Sequence, residues 1–360
     1  MARAKTGPEA AQEGPAEEQA GLVADQVAAE NPGAEAEAAT APHPGEDPQE
    51  MLSLYSRMLL IREFEGEIHR LFLKGEVHGT THLSSGQEAI PVGLCSTLDQ
   101  GDYIAGTYRG HGHALAKGTD PEALVAEMLG RSSGVCGGRA GSMNVIDLPN
   151  GLVGCFGIVG GSIAAATGAG VSAKRQGKVA AAFFGDGATN QGYFHECLNF
   201  SKVLDLPVVF VCENNFYGEF TPMAAVTAGG SITARAAAFA IPAQLVDGND
   251  LWAVRAAARD AVDRARSGGG PTLLECQTYR HYGHSKSDPG AYRPEGELES
   301  WKQRDPLTLT RARLIADGIS EEDVDAVEKA TREGLDAAVE RALASPYPDP
   351  ETEQAREYSA

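Results

Sequence analysis

Two apolar runs in the middle of the chain constrain its fold most strongly. VAAAFF (179–184) stops at the run Gly185-Asp186-Gly187, and VVFVCE (208–213) leads directly into Asn214 and Asn215. Each run has the length of a buried strand, and the residues between them (191–204) have the pattern of a helix. A strand, a helix and a strand in this order predict a βαβ unit, whose strands are parallel neighbours in one sheet.

The polar residues after these strands predict a cation site. Asn215 follows Asp186 by 29 positions, so both side chains are expected side by side at the carboxyl edge of the sheet. Carboxylate and amide oxygens are ligands that Mg²⁺ prefers, and Mg²⁺ completes its shell with water or phosphate oxygens. The glycines beside Asp186 let a ligand approach the backbone closely. GDG alone is more often a plain turn, so the prediction of a Mg²⁺-bridged phosphate compound depends on the spacing between Asp186 and Asn215.

The remaining pattern predicts an α/β fold, a mostly parallel sheet flanked by helices. The Gly-rich zone 130–161 is predicted to be a long functional loop, followed by a closely packed helix of small residues. The domain is expected to span 49–345, with a C-terminal tail at 346–360. Further helices are predicted at 50–73, 86–98, 121–129, 250–266 and 320–344, and strands at 103–107, 242–248 and 271–279.

The N-terminal residues 1–48 have a different composition, rich in Ala, Glu, Pro and Gly. They are predicted to form a disordered acidic tail, because they cannot bury enough apolar surface to offset the entropy of ordering. The tail lacks the apolar core of a signal peptide, and it is too acidic for a transit peptide.

Composition also argues against several classes of partner. A net charge of −20 disfavours nucleic acid, which requires a basic face. No apolar run approaches the roughly 20 residues of a membrane helix. The six cysteines are scattered without a C-x-x-C pair, which predicts reduced, buried thiols in a cytoplasmic protein.

Most of the folded sequence resembles one enzyme family, the alpha subunits of thiamine diphosphate-dependent 2-oxo acid dehydrogenases such as pyruvate dehydrogenase, and of the related acetoin dehydrogenase. The resemblance implies a thiamine diphosphate-binding fold over about residues 50–345, with thiamine diphosphate and Mg²⁺ as cofactors. The segment from GDG to NN is similar to the thiamine diphosphate motif. The similar segments, in chain order, are HLSSGQEA (82–89), YRGHG (108–112), GGRAGSMN (137–144), FGIVGGS (156–162), GDGATNQG (185–192), FVCENNFYG (210–218) and TYRHYGHSKSDPG (278–290).

The resemblance implies a role for each matching residue. Mg²⁺ would be bound by the side chains of Asp186 and Asn215 and by the backbone carbonyl of Tyr217. The diphosphate would meet Tyr108 and Arg109, whose guanidinium offers a rigid fork of donors. The complete set implied to bind the cofactor is Tyr108, Arg109, Gly157, Val159, Gly185, Asp186, Gly187, Ala188, Asn215, Tyr217 and His284.

Two histidines are implied to be catalytic, His82 and His284. Histidine suits proton transfer near neutral pH, and in this family these residues orient the substrate and support transfer of the acyl unit. Ser285 follows in a loop whose serine is phosphorylated in some members. Nothing in the sequence indicates a kinase, so an ordinary surface loop is expected here.

The resemblance also implies partners. The chain has room for one α/β domain of this kind, so a beta subunit would supply the glutamate that contacts the cofactor, in a heterotetramer of two alpha and two beta chains. A lipoyl-bearing acyltransferase would accept the acyl unit. Pyruvate is favoured as the small-molecule substrate, and acetoin and branched-chain 2-oxo acids stay open.

Two other functions also stay open. One is a subunit of a split transketolase-like ketol transferase, which the HSKSDPG segment disfavours. The other is a non-catalytic cofactor-binding subunit, which the presence of Asp186, Asn215, Arg109 and His284 disfavours.

Overall fold

The computed structural model describes residues 46–351. The predicted acidic tail lies outside this range except for its last three residues, and most of the predicted C-terminal tail lies outside it as well. The strands are β1 (Tyr103–Thr107), β2 (Leu152–Phe156), β3 (Ala180–Gly185), β4 (Val208–Asn214), β5 (Tyr217–Gly218), β6 (Thr221–Pro222), β7 (Ala243–Asp247) and β8 (Thr272–Gln277).

Helices alternate with the strands along the chain. They are α1 (Pro48–Leu73), α2 (Ala89–Cys95), α3 (His111–Lys117), α4 (Pro121–Met128), α5 (Gly161–Gln176), α6 (Gly192–Val203), α7 (Met223–Val226), α8 (Ile232–Ala237), α9 (Leu251–Arg266), α10 (Glu297–Lys302), α11 (Pro306–Ala316) and α12 (Glu321–Ala344). Three of them, α1, α4 and α11, begin at an Asp-Pro pair, in which the aspartate caps the helix and proline takes its first position. No helix within residues 46–351 is long and apolar enough to cross a membrane.

Six strands form one parallel sheet in the order β2-β1-β3-β4-β8-β7, which confirms the predicted fold class. β3 and β4 are central neighbours, joined by α6, and Gly185 pairs with Glu213 at their carboxyl ends. The predicted βαβ unit is therefore confirmed. β5 and β6 form a separate antiparallel hairpin.

The hydrophobic core lies on both faces of this sheet. Phe183 and Phe184 are consecutive in β3 and belong to different buried clusters, because successive side chains of a strand point to opposite faces. One cluster includes α1, α2, α9 and α12, and the other includes α5, α6 and α8. The small residues of α5 allow the predicted close packing, since a Cβ on Gly170 would lie 2.4 Å from a methyl group of Val208.

The prediction of one continuous loop over 130–161 was wrong, because β2 lies within it and forms an edge of the sheet. The apolar pattern of β2 is interrupted by Gly154, and its pairing with β1 is irregular between Ile104 and Ala105. The helix predicted over 86–98 is shorter and begins at Ala89. Gly86 cannot join it because its φ of +99° is left-handed, and a side chain there would lie 2.4 Å from the carbonyl oxygen of Tyr279.

Candidate active site

A cavity of about 670 Å³ opens at the carboxyl edge of β1, β3 and β4. This is where a parallel sheet places its ligands. Every site residue expected from the sequence lines this one cavity: His82, Tyr108, Arg109, Gly157, Val159, Gly185, Asp186, Gly187, Ala188, Asn215, Tyr217 and His284.

Two buried side-chain oxygens of the cavity lack a hydrogen-bond partner within residues 46–351, Asp186 Oδ2 and Asn215 Oδ1. Both residues are buried, at 1% and 8% exposure. Burial raises the pKa of Asp186 from 3.8 to about 6, although Arg280 and backbone hydrogen bonds oppose the shift. A cation between the two oxygens would satisfy both of them and would remove the penalty of a buried negative charge.

The donor set around these oxygens limits the kind of cation. No group of three or more His, Cys, Asp or Glu side chains arranged to hold a metal occurs in the described part of the chain. The remaining ligands would therefore be backbone carbonyls, water or the oxygens of a bound molecule, which is how Mg²⁺ is held beside phosphates. The backbone can approach closely here, since a Cβ on Gly187 would lie 3.2 Å from the Cα of Gly218.

An aromatic cluster of His82, Tyr108 and His284 forms another part of the cavity. The ring centroids of the two histidines are 5.0 Å apart, and Tyr108 lies 4.6 Å from His82 and 5.7 Å from His284. Burial, followed by the nearby guanidinium of Arg109, lowers the pKa of His82 to about 3 and that of His284 to about 4. Both rings are therefore neutral near pH 7.

Arg280 determines which nitrogen of His284 carries the proton. Its guanidinium donates to Nδ1 of His284 at 3.0 Å. Arginine has no acceptor, so Nδ1 must accept and the ring proton resides on Nε2. His284 thus presents a neutral N–H donor.

Arg109 connects two of the segments that form the cavity. Its terminal nitrogens donate to the carbonyl oxygens of Leu83 at 2.5 Å and of His284 at 2.8 Å. Burial, and then repulsion by Arg280, lowers the pKa of Arg109 to about 10, so the group stays charged near neutral pH. The cavity therefore contains a fixed positive charge close to both histidines.

Comparison with known proteins identifies the family. The family model of the dehydrogenase E1 component matches residues 56–351. This chain belongs to the dehydrogenase E1 component family. Enzymes of this family depend in general on thiamine diphosphate.

Several curated relatives align over most of the chain. The alpha subunit of acetoin:2,6-dichlorophenolindophenol oxidoreductase is 45% identical in Bacillus subtilis (strain 168), over 83% of this chain and 91% of that one. Its counterpart in Cupriavidus necator is 44% identical, over 85% and 93%. The chloroplastic pyruvate dehydrogenase E1 component subunit alpha-3 of Oryza sativa subsp. japonica is 39% identical, over 88% and 77%. The chain is therefore an alpha-type subunit of an oxidoreductase.

Two buried carboxylates organise the segments that form the E1 site. Glu65 accepts from the backbone N–H and the hydroxyl of Ser84 and is 2.9 Å from Nδ1 of His111. Glu127 accepts from four backbone N–H groups of the Gly-rich loop, those of Cys136, Gly138, Ala140 and Gly141. The loop is thus folded around a carboxylate of its own chain.

The loop that carries Ser285 is held at several points. Asp288 accepts from the backbone N–H groups of His284 and Gly290 and from the hydroxyl of Tyr292. The Ser285 hydroxyl lies 3.2 Å from that of Ser287. The catalytic candidate His284 and the serine therefore share one hydrogen-bonded turn.

Sequence reasoning missed several polar residues that line the E1 cavity, among them Gln87, Glu213 and Arg280. All three lie inside segments that resemble the family. Gln87 falls within the helix predicted at 86–98, Glu213 ends the strand predicted at 208–213, and Arg280 directly follows the strand predicted at 271–279. Glu213 is paired with the buried His113 at 3.0 Å. A charged residue at the end of an otherwise apolar strand was the available signal for Glu213.

Proposed function

We propose that this chain is the alpha subunit of a thiamine diphosphate- and Mg²⁺-dependent dehydrogenase that cleaves acetoin and passes the acyl unit to a lipoyl acyltransferase. The observation that carries the proposal is the pair of buried, unpartnered oxygens of Asp186 and Asn215 at the ends of two neighbouring strands. Membership of the E1 family supplies the reaction class.

The residues at this edge fit the diphosphate end of the cofactor. Asp186 and Asn215 would bind Mg²⁺ through side-chain oxygens, and Tyr217 would do so through its carbonyl group, because its hydroxyl donates to Glu297. The phosphates would be held by Gly185, Gly187, Ala188, Tyr108 and Arg109, which line the same cavity. On the ring side, the backbone of Gly157 and Val159 lines the cavity.

Thiamine diphosphate, when bound, supplies the carbon centre that adds to a substrate carbonyl and accommodates the electron pair released on bond cleavage. The chain's own contribution is a set of positioned donors. His284 offers its Nε2–H to the substrate oxygen as a neutral ring, and His82 lies next to it. The positive charges of Arg109 and Arg280 stabilise negative charge that develops on that oxygen.

Acetoin is preferred over pyruvate because of the relatives. The two acetoin-enzyme subunits are 45% and 44% identical to this chain, whereas the pyruvate dehydrogenase subunits range from 36% to 40%. Pyruvate, which the sequence alone favoured, is the second candidate, because Arg280 is almost fully buried at the cavity and could bind a substrate carboxylate.

A beta subunit is proposed to complete the site in a heterotetramer of two alpha and two beta chains. Ile158 and Val226 line the cavity with side chains that are 73% and 50% exposed, which is unusual for apolar residues at a buried site and suits coverage by a partner. Glu213, a carboxylate in the cavity, is already paired with His113. We propose that the glutamate that contacts the cofactor ring comes from the beta subunit and that the complex lies in the cytoplasm.

The test is a substrate comparison with the purified alpha–beta complex, thiamine diphosphate and Mg²⁺. Reduction of 2,6-dichlorophenolindophenol is followed with acetoin, pyruvate and 3-methyl-2-oxobutanoate. The proposal predicts the highest kcat/KM for acetoin. A higher kcat/KM for pyruvate would make pyruvate the substrate and would leave the proposed reaction class unchanged. No dye reduction with any substrate, together with ketol transfer between sugar phosphates, would support the transketolase-like alternative. No turnover of either kind, with the cofactor bound, would indicate a non-catalytic subunit.

A further inference from the structure

The side-chain amide of Asn215 has a single hydrogen-bond partner among the described residues. Its Nδ2 donates to Oε1 of Gln87 at 3.0 Å, while its Oδ1 faces the cavity without a partner. Gln87 is 1% exposed and comes from the segment that also carries His82, far from Asn215 in the sequence. The amide of Asn215, the proposed cation ligand, is therefore held by one hydrogen bond, to the side-chain carbonyl oxygen of Gln87.

Backbone hydrogen bonds hold the chain at Gln87. Its backbone N–H donates to the carbonyl oxygen of Ser84, and the preceding Gly86 is fixed on both sides. Gly86 donates its N–H to the Glu88 carboxylate and accepts from the hydroxyl of Thr278. Glu88 is in turn paired with Arg62. The backbone that carries the Gln87 side chain is therefore fixed beside Asn215.

The orientation of this amide decides whether a cation can bind. The oxygen and the nitrogen of an asparagine amide are nearly the same size, so a rotation of 180° about its last side-chain bond changes the chemistry but hardly the shape. With Oδ1 toward the cavity Asn215 is a metal ligand, and with Nδ2 there it repels a cation. Before a cation binds, hydrogen bonding to neighbouring groups distinguishes the two orientations.

We propose that Gln87 is a positioning residue for the Mg²⁺ site, which fixes the Asn215 amide with its oxygen toward the cation. The inference rests on the proposed function and extends it to a residue outside the set of metal ligands. Partners that orient a metal ligand in this way typically change metal affinity by about 10- to 100-fold when they are replaced. Gln87→Met retains the length of the side chain and removes the acceptor, whereas Gln87→Glu retains an acceptor at the same place.

The experiment measures thiamine diphosphate binding to the alpha–beta complex by calorimetry over a series of Mg²⁺ concentrations. For Gln87→Met we expect the half-saturating Mg²⁺ concentration to rise by about tenfold or more. Gln87→Glu keeps the acceptor and adds negative charge near the cation, so its half-saturating Mg²⁺ concentration should not rise. An unchanged value for Gln87→Met would overturn the inference and leave the proposed function intact. Binding by the wild type that does not depend on Mg²⁺ would overturn both.

A double-mutant cycle separates orientation from general structural support. A carboxylate presents an oxygen whichever way it is turned, so in an Asn215→Asp background orientation no longer matters. Gln87→Met should then have little effect on the half-saturating Mg²⁺ concentration, while its effect in the Asn215 background stays about tenfold or more. Equal losses in both backgrounds would contradict positioning and indicate that Gln87 only supports the fold.

Discussion

Burial makes Asp186 a destabilising residue in the metal-free chain at neutral pH. Its pKa is about 6 in the folded chain, against 3.8 for the free side chain. Between these values the folded state binds more protons, so this residue's contribution to stability falls as the pH rises from 3.8 to 6. Above pH 7 this difference in pKa lowers the free energy of unfolding by about 3 kcal/mol.

The substitution Asp186→Asn removes this charge and preserves the shape of the side chain. With the metal chelated, the variant should be more stable than the wild type by about 3 kcal/mol near pH 7.5 and by only about 1 kcal/mol near pH 4.5, where most of the folded-state carboxyl is protonated. Chemical denaturation of the full chain at the two pH values, with excess chelator, measures both differences.

When Mg²⁺ and thiamine diphosphate are added, the wild type should become more stable than the Asp186→Asn variant. The wild type gains stability by binding them, whereas the Asp186→Asn variant lacks the charged ligand and gains little. Two results would refute the reasoning. One is a metal-free variant no more stable than the wild type near pH 7.5, and the other is a difference that does not change with pH.

Two further substitutions test the groups around the cavity. Glu127→Gln replaces a carboxylate that accepts four backbone N–H groups, so it should destabilise the chain by about 2 kcal/mol and expose the loop at 136–141 to protease, as measured by denaturation and limited proteolysis. Unchanged stability would contradict this role. Arg280→Gln removes a positive charge that lowers the pKa of both His82 and His284, so both pKa values should rise in an NMR titration. As the pH falls below 6.5, these histidines bind protons in the unfolded state before they do so in the folded state, so the wild type loses stability. The variant should lose less stability, because its folded-state pKa values lie closer to 6.5.

The central βαβ unit could be predicted from sequence because its signals are local. Apolar runs of strand length, one helix between them and polar residues at their ends together place Asp186 and Asn215 at one edge of the sheet. The same logic found the strands β7 and β8. It could not find β2, whose short apolar run lies among glycines and pairs irregularly with β1.

The residues of the site were predictable only where a motif carries them. Those that resemble the family motif line one cavity, but their contacts depend on distant parts of the chain. Gln87 meets Asn215 across 128 residues of sequence, and His113 meets Glu213 across 100. The donation from Arg280 to His284 spans only four residues, yet it depends on a turn whose geometry the sequence does not specify. Such pairs become visible only in three dimensions.

The most direct test of the account is a complementation assay with separately purified chains. Acetoin-dependent dye reduction is measured with the alpha chain alone, the beta chain alone and their mixture, each with thiamine diphosphate and Mg²⁺. The account predicts turnover for the mixture only, and none when the alpha chain carries Asp186→Asn. Turnover by the alpha chain alone, or full activity of the Asp186→Asn mixture, would contradict it.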